Sequence, residues 1–370
     1  MPNHKIKVAV IGSTGFVGLE LVYLLSRHPE VRIEYLCSQS NTGKKINLFD
    51  KRIRKKLPSL VNEKKIKWNK VDVVFLSLPN GKAQNITKKL YSKFNHLKFI
   101  DLSADFRIKK PKIFKKWYVN EHKAKNLIKN SIYSIPEFTK KKVSQFRIIS
   151  NPGCYATSIQ LVLKPLLISG LIKKNSIIID SKSGYSGAGK NFLKKFNSKN
   201  FFSSCASYSV NKHRHMAEID QELKISNYSF NPHIIPTYRG IISSIYIDVK
   251  QNKIASKFFK VLKNFYKNKP FVQIKGFNKS LGTNDVLHTN KCQITINKSR
   301  NSKKIIIFSA LDNLVKGAAG QAIQNMNLLF NLKENKGLRW DIYWFVYYLL
   351  LPVPQLIECL FAGIMNVLIK

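Results

Sequence analysis

The sequence predicts an α/β protein, with a doubly wound parallel-sheet domain over residues 1–150 and an α+β domain over residues 151–312. Three observations carry this. In the first part, short apolar β-branched runs alternate with stretches of helical spacing, the pattern of parallel strands joined by crossover helices. A glycine-rich turn, GSTGFVG, falls between the first such run and the first helix. Beyond residue 150 strand-like runs continue with fewer helices between them, which suits a mostly antiparallel or mixed sheet. A chain of 370 residues that is 44% hydrophobic is long enough for two such cores.

The elements follow in order. IKVAVIG (6–12) reads as the first strand, and GLELVYLLSRHP (18–29) as a helix that Pro29 stops. VRIEYLCS, VDVVFLSLP and HLKFIDLS supply three more strands, each closed by polar or turn residues. In the second part SIIIDSKSG, HIIPTYRGIISSIYIDV, CQITINKS and KKIIIFSALDN read as strands. NLVKGAAGQAIQNMNLLFNL (313–332) has helical periodicity, and 313–337 is expected to pack back onto the first domain. The segment 338–370 differs in texture: its apolar runs are broken by Pro352 and Pro354 and carry Glu358. Neither half gives a clean span of about 20 residues, so we read it as an appended apolar tail whose contact with a membrane is disfavoured.

Charge and cysteine usage narrow the function classes. The formal charge of +44 comes from 64 Lys and Arg against 20 Asp and Glu. Its lysines occur in twos and threes along nearly the whole chain, whereas a nucleic-acid footprint needs clustering. No specific nucleic-acid partner is expected. Five cysteines, an odd number without CxxC or metal-like spacing, indicate reduced thiols. The N-terminal residues run straight into a strand and leave no room for a secretory leader. Together these predict a cytoplasmic setting.

The chemistry-bearing stretches come next. In GSTGFVG the glycines Gly12, Gly15 and Gly18, with Ser13, Thr14, Phe16 and Val17, stand where a tight turn lets a pyrophosphate approach a helix N-terminus. This GxxGxxG spacing, a variant of the commoner GxGxxG, suits the turn of a Rossmann-like dinucleotide-binding domain, with a plain glycine turn as the alternative. The loop after the second strand, with Ser38, Ser40, Lys44 and Lys45 and no carboxylate, suits a 2′-phosphate, so NADPH is favoured over NADH. Cys154, in SNPGCYATSIQ, opens a helix whose dipole and free N–H groups would favour a thiolate. Taken alone, a cysteine there is better read as a small core residue than as a nucleophile.

HRHMAEI supplies His213, His215 and Glu218, and a histidine beside a cysteine can take and return its proton. The His-X-His spacing also raises a metal, but no further ligand cluster supports one, and none is expected. DLSADFR ends a strand with Arg107, suited to grip a carboxylate or phosphate. KSGYSGAGK is glycine-rich but lacks P-loop spacing, because Asn191 follows its lysine.

In order, GSTGFVG, DLSADFR, SNPGCYATS, KSGYSGAGK, HRHMAEI, PHIIPTYRGI and DNLVKGAAGQAIQ closely resemble the N-acetyl-gamma-glutamyl-phosphate reductase family, over residues 5 to 337. That family is similar in fold to aspartate-semialdehyde dehydrogenase and, more distantly, to glyceraldehyde-phosphate dehydrogenases. The resemblance implies NADPH-dependent reduction of N-acetyl-L-glutamyl 5-phosphate to N-acetyl-L-glutamate 5-semialdehyde plus phosphate, a step of arginine biosynthesis, through a cysteine thioester. It implies Cys154 as nucleophile and His215 as acid/base, with His213 the other candidate. It implies Arg107 on the substrate phosphate, and Arg239 and Glu218 elsewhere in the substrate site. By the same resemblance Ser183, Gly184, Gly187, Ala188 and Gly189 form a cofactor-facing loop, Asn313 stands near the nicotinamide, and the chain is a homo-oligomer.

Two departures from the family pattern, Met216-Ala217 in HRHMAEI and Tyr185 in KSGYSGAGK, remove no group the chemistry needs. Two alternatives stay open at this point. One is the related reductase of lysine biosynthesis, which takes its acyl phosphate on an acidic carrier protein. The other is a basic nucleic-acid-binding or membrane-tethered protein that keeps the fold without catalysis.

Overall fold

The computed structural model describes residues 5–172, 177–190, 204–249 and 254–338. Beyond Leu338, the tail lies outside the described residues. Seven strands build the first sheet: Ile6–Ile11 (β1), Val31–Cys37 (β2), Leu60–Val61 (β3), Val73–Leu76 (β4), Lys98–Asp101 (β5), Ser131–Tyr133 (β6) and Ile148–Ser150 (β7). Their order is β3-β2-β1-β4-β5-β7-β6 and every pairing is parallel. The apolar runs expected to be strands are β1, β2, β4 and β5; β1, β4 and β5 are buried on both faces or nearly so, whereas β2 exposes Arg32. Strands β3, β6 and β7 are two or three residues long and offer no run for a sequence reading to catch.

Helix Phe16–Ser26 (α1) follows β1, and its residues from Gly18 to Ser26 are buried. Helices Ala83–Tyr91 (α2), Pro111–Tyr118 (α3) and Pro136–Thr139 (α4) fill later crossovers. The strand order reverses between β1 and β4, and such a switch point opens a crevice beyond the carboxyl ends of the strands. The turn after β1 and the loop after β4 both end there.

Helix Cys154–Ile168 (α5) leads into the second sheet: Ile177–Gly184 (β8), Ala206–Ser207 (β9), Tyr228–Ile235 (β10), Ile241–Asp248 (β11), Val272–Phe277 (β12), Cys292–Lys298 (β13) and Lys304–Leu311 (β14). The order is β12-β13-β14-β11-β8-β10-β9. The sheet is mixed as expected: β11 runs antiparallel to β8 and β14, whereas β10 is parallel to β8. Helices Met216–Leu223 (α6) and Ala255–Tyr266 (α7) pack with α5 around a core rich in isoleucine.

The stretch read as one helix from residue 313 differs in detail. Val315–Ala319 forms a π turn, and the α-helix proper is Gly320–Leu329 (α8). Gly317 N donates to Asp312 O at 2.9 Å and Ala319 N to Leu314 O at 2.8 Å, each reaching back five residues. Helix α8 lies against α1 and β5, and Lys98 Nζ donates to Leu329 O at 3.1 Å. No helix among the described residues is long and apolar enough to cross a membrane.

Candidate active site

The turn after β1 is closed by backbone contact that excludes side chains. Gly12 has φ +81°, and a Cβ on it would lie 2.0 Å from Ser77 O; a Cβ on Gly18 would lie 2.1 Å from Gly12 O. Gly12 N, Ser13 N and the Ser13 hydroxyl all donate to Cys37 O, at 3.1, 3.1 and 3.0 Å, which fastens the turn to the end of β2. Ser13 is thereby occupied with the protein. Gly15 caps α1 without a side-chain bond, so no capping side chain occupies the first-turn N–H groups, as an anion site would require.

A crevice of about 380 Å³ adjoins this turn, lined by Gly12, Ser38, Glu63, Leu78, Lys82 and Lys89 among others. The Ser38 hydroxyl lies 3.2 Å from that of Thr14, whereas Ser40 is exposed and bonded to Asn41. A glycine cradle, an uncapped helix and a crevice with a hydroxyl and two lysines fit a dinucleotide carrying a 2′-phosphate. The sequence reading saw no carboxylate after β2; the fold brings one in with Glu63, which follows β3 and stands in the crevice wall. Nothing in the local pattern marks Glu63, because the pairing of β3 with β2 sets its place.

A second cavity, of about 160 Å³, gathers Cys154, Arg107, His213, His215, Ser183, Gly184, Gly187 and Ala188. It also holds Arg214, exposed with its guanidinium 5.6 Å from the Tyr118 ring, which the sequence reading passed over although it lies inside HRHMAEI. Cys154 is the first residue of α5. A Cβ on Gly153 would fall 2.3 Å from His215 Nε2, so the imidazole rests directly on the residue preceding the cysteine. From the other side a Cβ on Gly317, in the π turn, would fall 2.7 Å from Cys154 Cβ.

The two histidines meet edge to face with ring centroids 4.6 Å apart, but their nitrogens differ. His213 Nδ1 accepts from the His215 backbone N–H at 3.1 Å, and its Nε2 lies 3.4 Å from the Tyr208 hydroxyl. Of the His215 nitrogens, Nε2 faces Gly153 and Nδ1 is buried without a partner. Burial, the neighbouring His215 and Arg214 push His213 down to about 2. Burial, Arg107 and Arg214 hold His215 well below the usual imidazole range. Both rings are therefore neutral.

The thiol contradicts the expectation from helix position. Burial pushes Cys154 up to about 11, although the backbone N–H groups of Tyr155 and Cys154 and the Arg107 charge pull the other way. The helix start lowers the pKa as expected, but desolvation outweighs it.

Arg107 and Glu218 are joined beneath the cavity. Arg107 Nη1 donates to Glu218 Oε1 at 2.9 Å, Nε to Asn151 O and Nη2 to Leu102 O at the same distance. Glu218 Oε2 accepts from the Tyr133 hydroxyl at 3.0 Å and from Gly153 N at 2.9 Å. Glu218 is wholly buried, so the structure gives its carboxylate to the protein interior and not to a ligand.

Arg239 stands apart from Cys154. Its guanidinium pairs with Glu20 Oε2 at 2.7 Å and Asp312 Oδ2 at 3.0 Å, and it lines a separate cavity with Phe16 and Tyr238. Its backbone touches the cysteine cavity indirectly, since a Cβ on Gly184 would lie 2.7 Å from Arg239 Cα. Asn313 stitches these loops: its Oδ1 accepts from Gly240 N at 2.7 Å and its Nδ2 donates to the Ser186 hydroxyl at 2.8 Å. Gly189 has φ +81° and closes the loop.

The chain is similar to known proteins along most of its length. Residues 7–146 match the model of the semialdehyde dehydrogenase NAD binding domain, and residues 154–313 that of the semialdehyde dehydrogenase dimerisation domain. A protein of Brachyspira hyodysenteriae named N-acetyl-gamma-glutamyl-phosphate reductase is 42% identical over 348 residues, covering 90% of this chain and 98% of that protein. One of the same name from Vesicomyosocius okutanii subsp. Calyptogena okutanii is 42% identical over 350 residues, with the same coverage. Among solved structures, aspartate semialdehyde dehydrogenase II of Vibrio cholerae superposes with TM-score 0.64 at 16% identity, over 88% of this chain and 98% of that one. Aspartate semialdehyde dehydrogenase of Candida albicans, solved with NADP, gives 0.63 at 15% over the same shares. At these identities the two structures speak to the fold.

Proposed function

The chain belongs to the N-acetyl-gamma-glutamyl-phosphate reductase family, and from that membership we infer that it reduces N-acetyl-L-glutamyl 5-phosphate to N-acetyl-L-glutamate 5-semialdehyde, releasing phosphate, in arginine biosynthesis. The observation that carries this reading is the meeting of Cys154 with His215 across Gly153, in a cavity that also holds Arg107. The relatives' shared name sets this substrate above a carrier-borne one.

In this reading Cys154 Sγ attacks the acyl carbon, and neutral His215 takes the thiol proton on a free ring nitrogen. Cys154 needs that base, because its own thiol stays protonated at neutral pH. The N–H groups opening α5 hold the oxyanion, and its collapse breaks the C–O bond to phosphate and leaves a thioester on Cys154. Arg107, with Arg214 beside it, offers positive charge to the departing phosphate. The Gly12–Gly18 turn, Ser38 and the Ser183–Gly189 loop would hold NADPH, which when bound would supply the hydride that brings the acyl carbon to the aldehyde level. His215 then supplies and withdraws the proton that lets the Cys154 thiolate leave.

We place residues 1–150, completed by 313–337, as the cofactor domain and 151–312 as the catalytic one. The match to a dimerisation domain supports a homo-oligomer, which sedimentation would size. A cytoplasmic setting accords with the free thiols of Cys37, Cys154, Cys205 and Cys292.

The test is phosphate release and NADPH oxidation with N-acetylglutamyl phosphate. Replacing Cys154 by Ser should abolish turnover while NADPH binding, followed by fluorescence, stays intact. Undiminished turnover in that variant would refute the mechanism.

A further inference from the structure

Lys316 carries its charge into the protein interior. Its side chain is wholly buried, and Nζ donates to Glu137 Oε1 at 2.7 Å and Gln324 Oε1 at 2.9 Å. Glu137 is buried as completely and accepts a second bond from Gln324 Nε2 at 3.2 Å. Removing two charges from water is costly, and a buried pair is a weak source of stability compared with apolar side chains of the same volume. The location of the pair suggests another use.

Lys316 belongs to the π turn Val315–Ala319, while Glu137 stands on α4 and Gln324 on α8, so the pair ties the turn to both helices. The next residue, Gly317, is the one packed on Cys154. Asn151, in the loop leading to the cysteine, donates from Nδ2 to Ala318 O at 3.2 Å and adds a second link. A π turn contains one residue more than the α turn it replaces, and π turns often mark functional sites. Relaxing it to α geometry would rotate its residues by about 100°. Lys316 or Ala318 would then come to the place of Gly317, and either would bring a Cβ against the nucleophile.

We propose that the Lys316–Glu137 pair is a positioning device, which pins the π register of residues 315–319 so that only a glycine meets Cys154 and the sulfur keeps its line of attack. This rests on the reading of Cys154 as nucleophile. Lys316 acts through the turn and does not itself touch the reacting atoms.

The experiment compares wild type with K316M, G317A and the apolar double variant K316M/E137L. It measures turnover with N-acetylglutamyl phosphate and NADPH, NADPH binding, and the rate at which iodoacetamide alkylates Cys154. All three variants should lose on the order of a hundredfold in kcat, the scale of a 1 Å misplacement. NADPH affinity should be retained, and the rate of Cys154 alkylation, which follows thiolate character and access, should differ measurably from the wild type. The double variant, which leaves no unpaired charge, separates this from unfolding: it should melt near the wild type and still be slow. A folded K316M/E137L or G317A with wild-type kcat and alkylation would overturn the proposal. Should the wild type itself fail to turn over, the functional reading falls, while the alkylation rates still decide the role of the pair.

Discussion

Cys154 and His215 meet as a neutral thiol and a neutral imidazole, and burial sets both charges. The consequence is a thiol at rest. Alkylation of Cys154 by iodoacetamide, followed by peptide mass against pH, should rise with an inflection near 11 and stay slow at pH 7, where almost no thiolate exists. An inflection below about 8, under the value of a free cysteine, would show that the helix start wins over desolvation. The sign for the base is opposite: a depressed pKa keeps His215 unprotonated at neutral pH and ready to accept. At this scale the reactive residues were legible, because thiol, imidazole and guanidinium announce their chemistry in NPGCYAT, HRHMAEI and DLSADFR. Gly153, Gly317 and Lys316 were not. Each has its role only through a contact with a distant segment, and a glycine written beside a cysteine does not reveal that an imidazole rests on it.

Elements were legible in proportion to their length. The β-branched runs of β1, β2, β8 and β14 declare themselves, while β3, at two residues, is a strand only because β2 lies beside it. The π turn hid inside a helical period, since adding one residue leaves the apolar spacing nearly intact. The crevice between β2 and α2 shows what such short elements decide. Ser38, Lys82 and Lys89 favour a 2′-phosphate and Glu63, placed by β3, opposes it. NADPH should still be preferred to NADH by at least about tenfold in kcat/KM, about 1.4 kcal/mol. Replacing Glu63 by Gln should widen that preference by lowering KM for NADPH alone. Equal rates with the two cofactors in the unaltered chain, measured by steady-state oxidation, would leave the lysines without this role.

For the whole molecule, the scarce acids are placed inside. Of only 20 Asp and Glu, seven are buried among the described residues, namely Glu20, Asp101, Asp105, Glu137, Glu218, Asp312 and Glu334, so the described surface is more basic than the composition alone suggests. Glu218 shows what this arrangement achieves. It joins Arg107 after β5, Tyr133 on β6 and Gly153 at the start of α5, partners 111, 85 and 65 residues away. One carboxylate thus ties the first sheet to the helix that carries the nucleophile. Sequence reading could find Glu218 by its neighbours in HRHMAEI and set it beside a substrate, but these partners are fixed only by the fold. Replacing Glu218 by Ala would leave the buried Arg107 without its carboxylate, and breaking a buried pair from one side costs about 3–5 kcal/mol. The midpoint of urea unfolding should fall accordingly. Turnover should fall with it in native conditions, since Gly153 N loses its acceptor directly beneath His215. Glutamine, which keeps an acceptor for Arg107 or for Gly153 but not the charge, should fall between. A wild-type midpoint in the alanine variant would mean that water or a neighbour takes over the site, and that the two sheets are joined elsewhere.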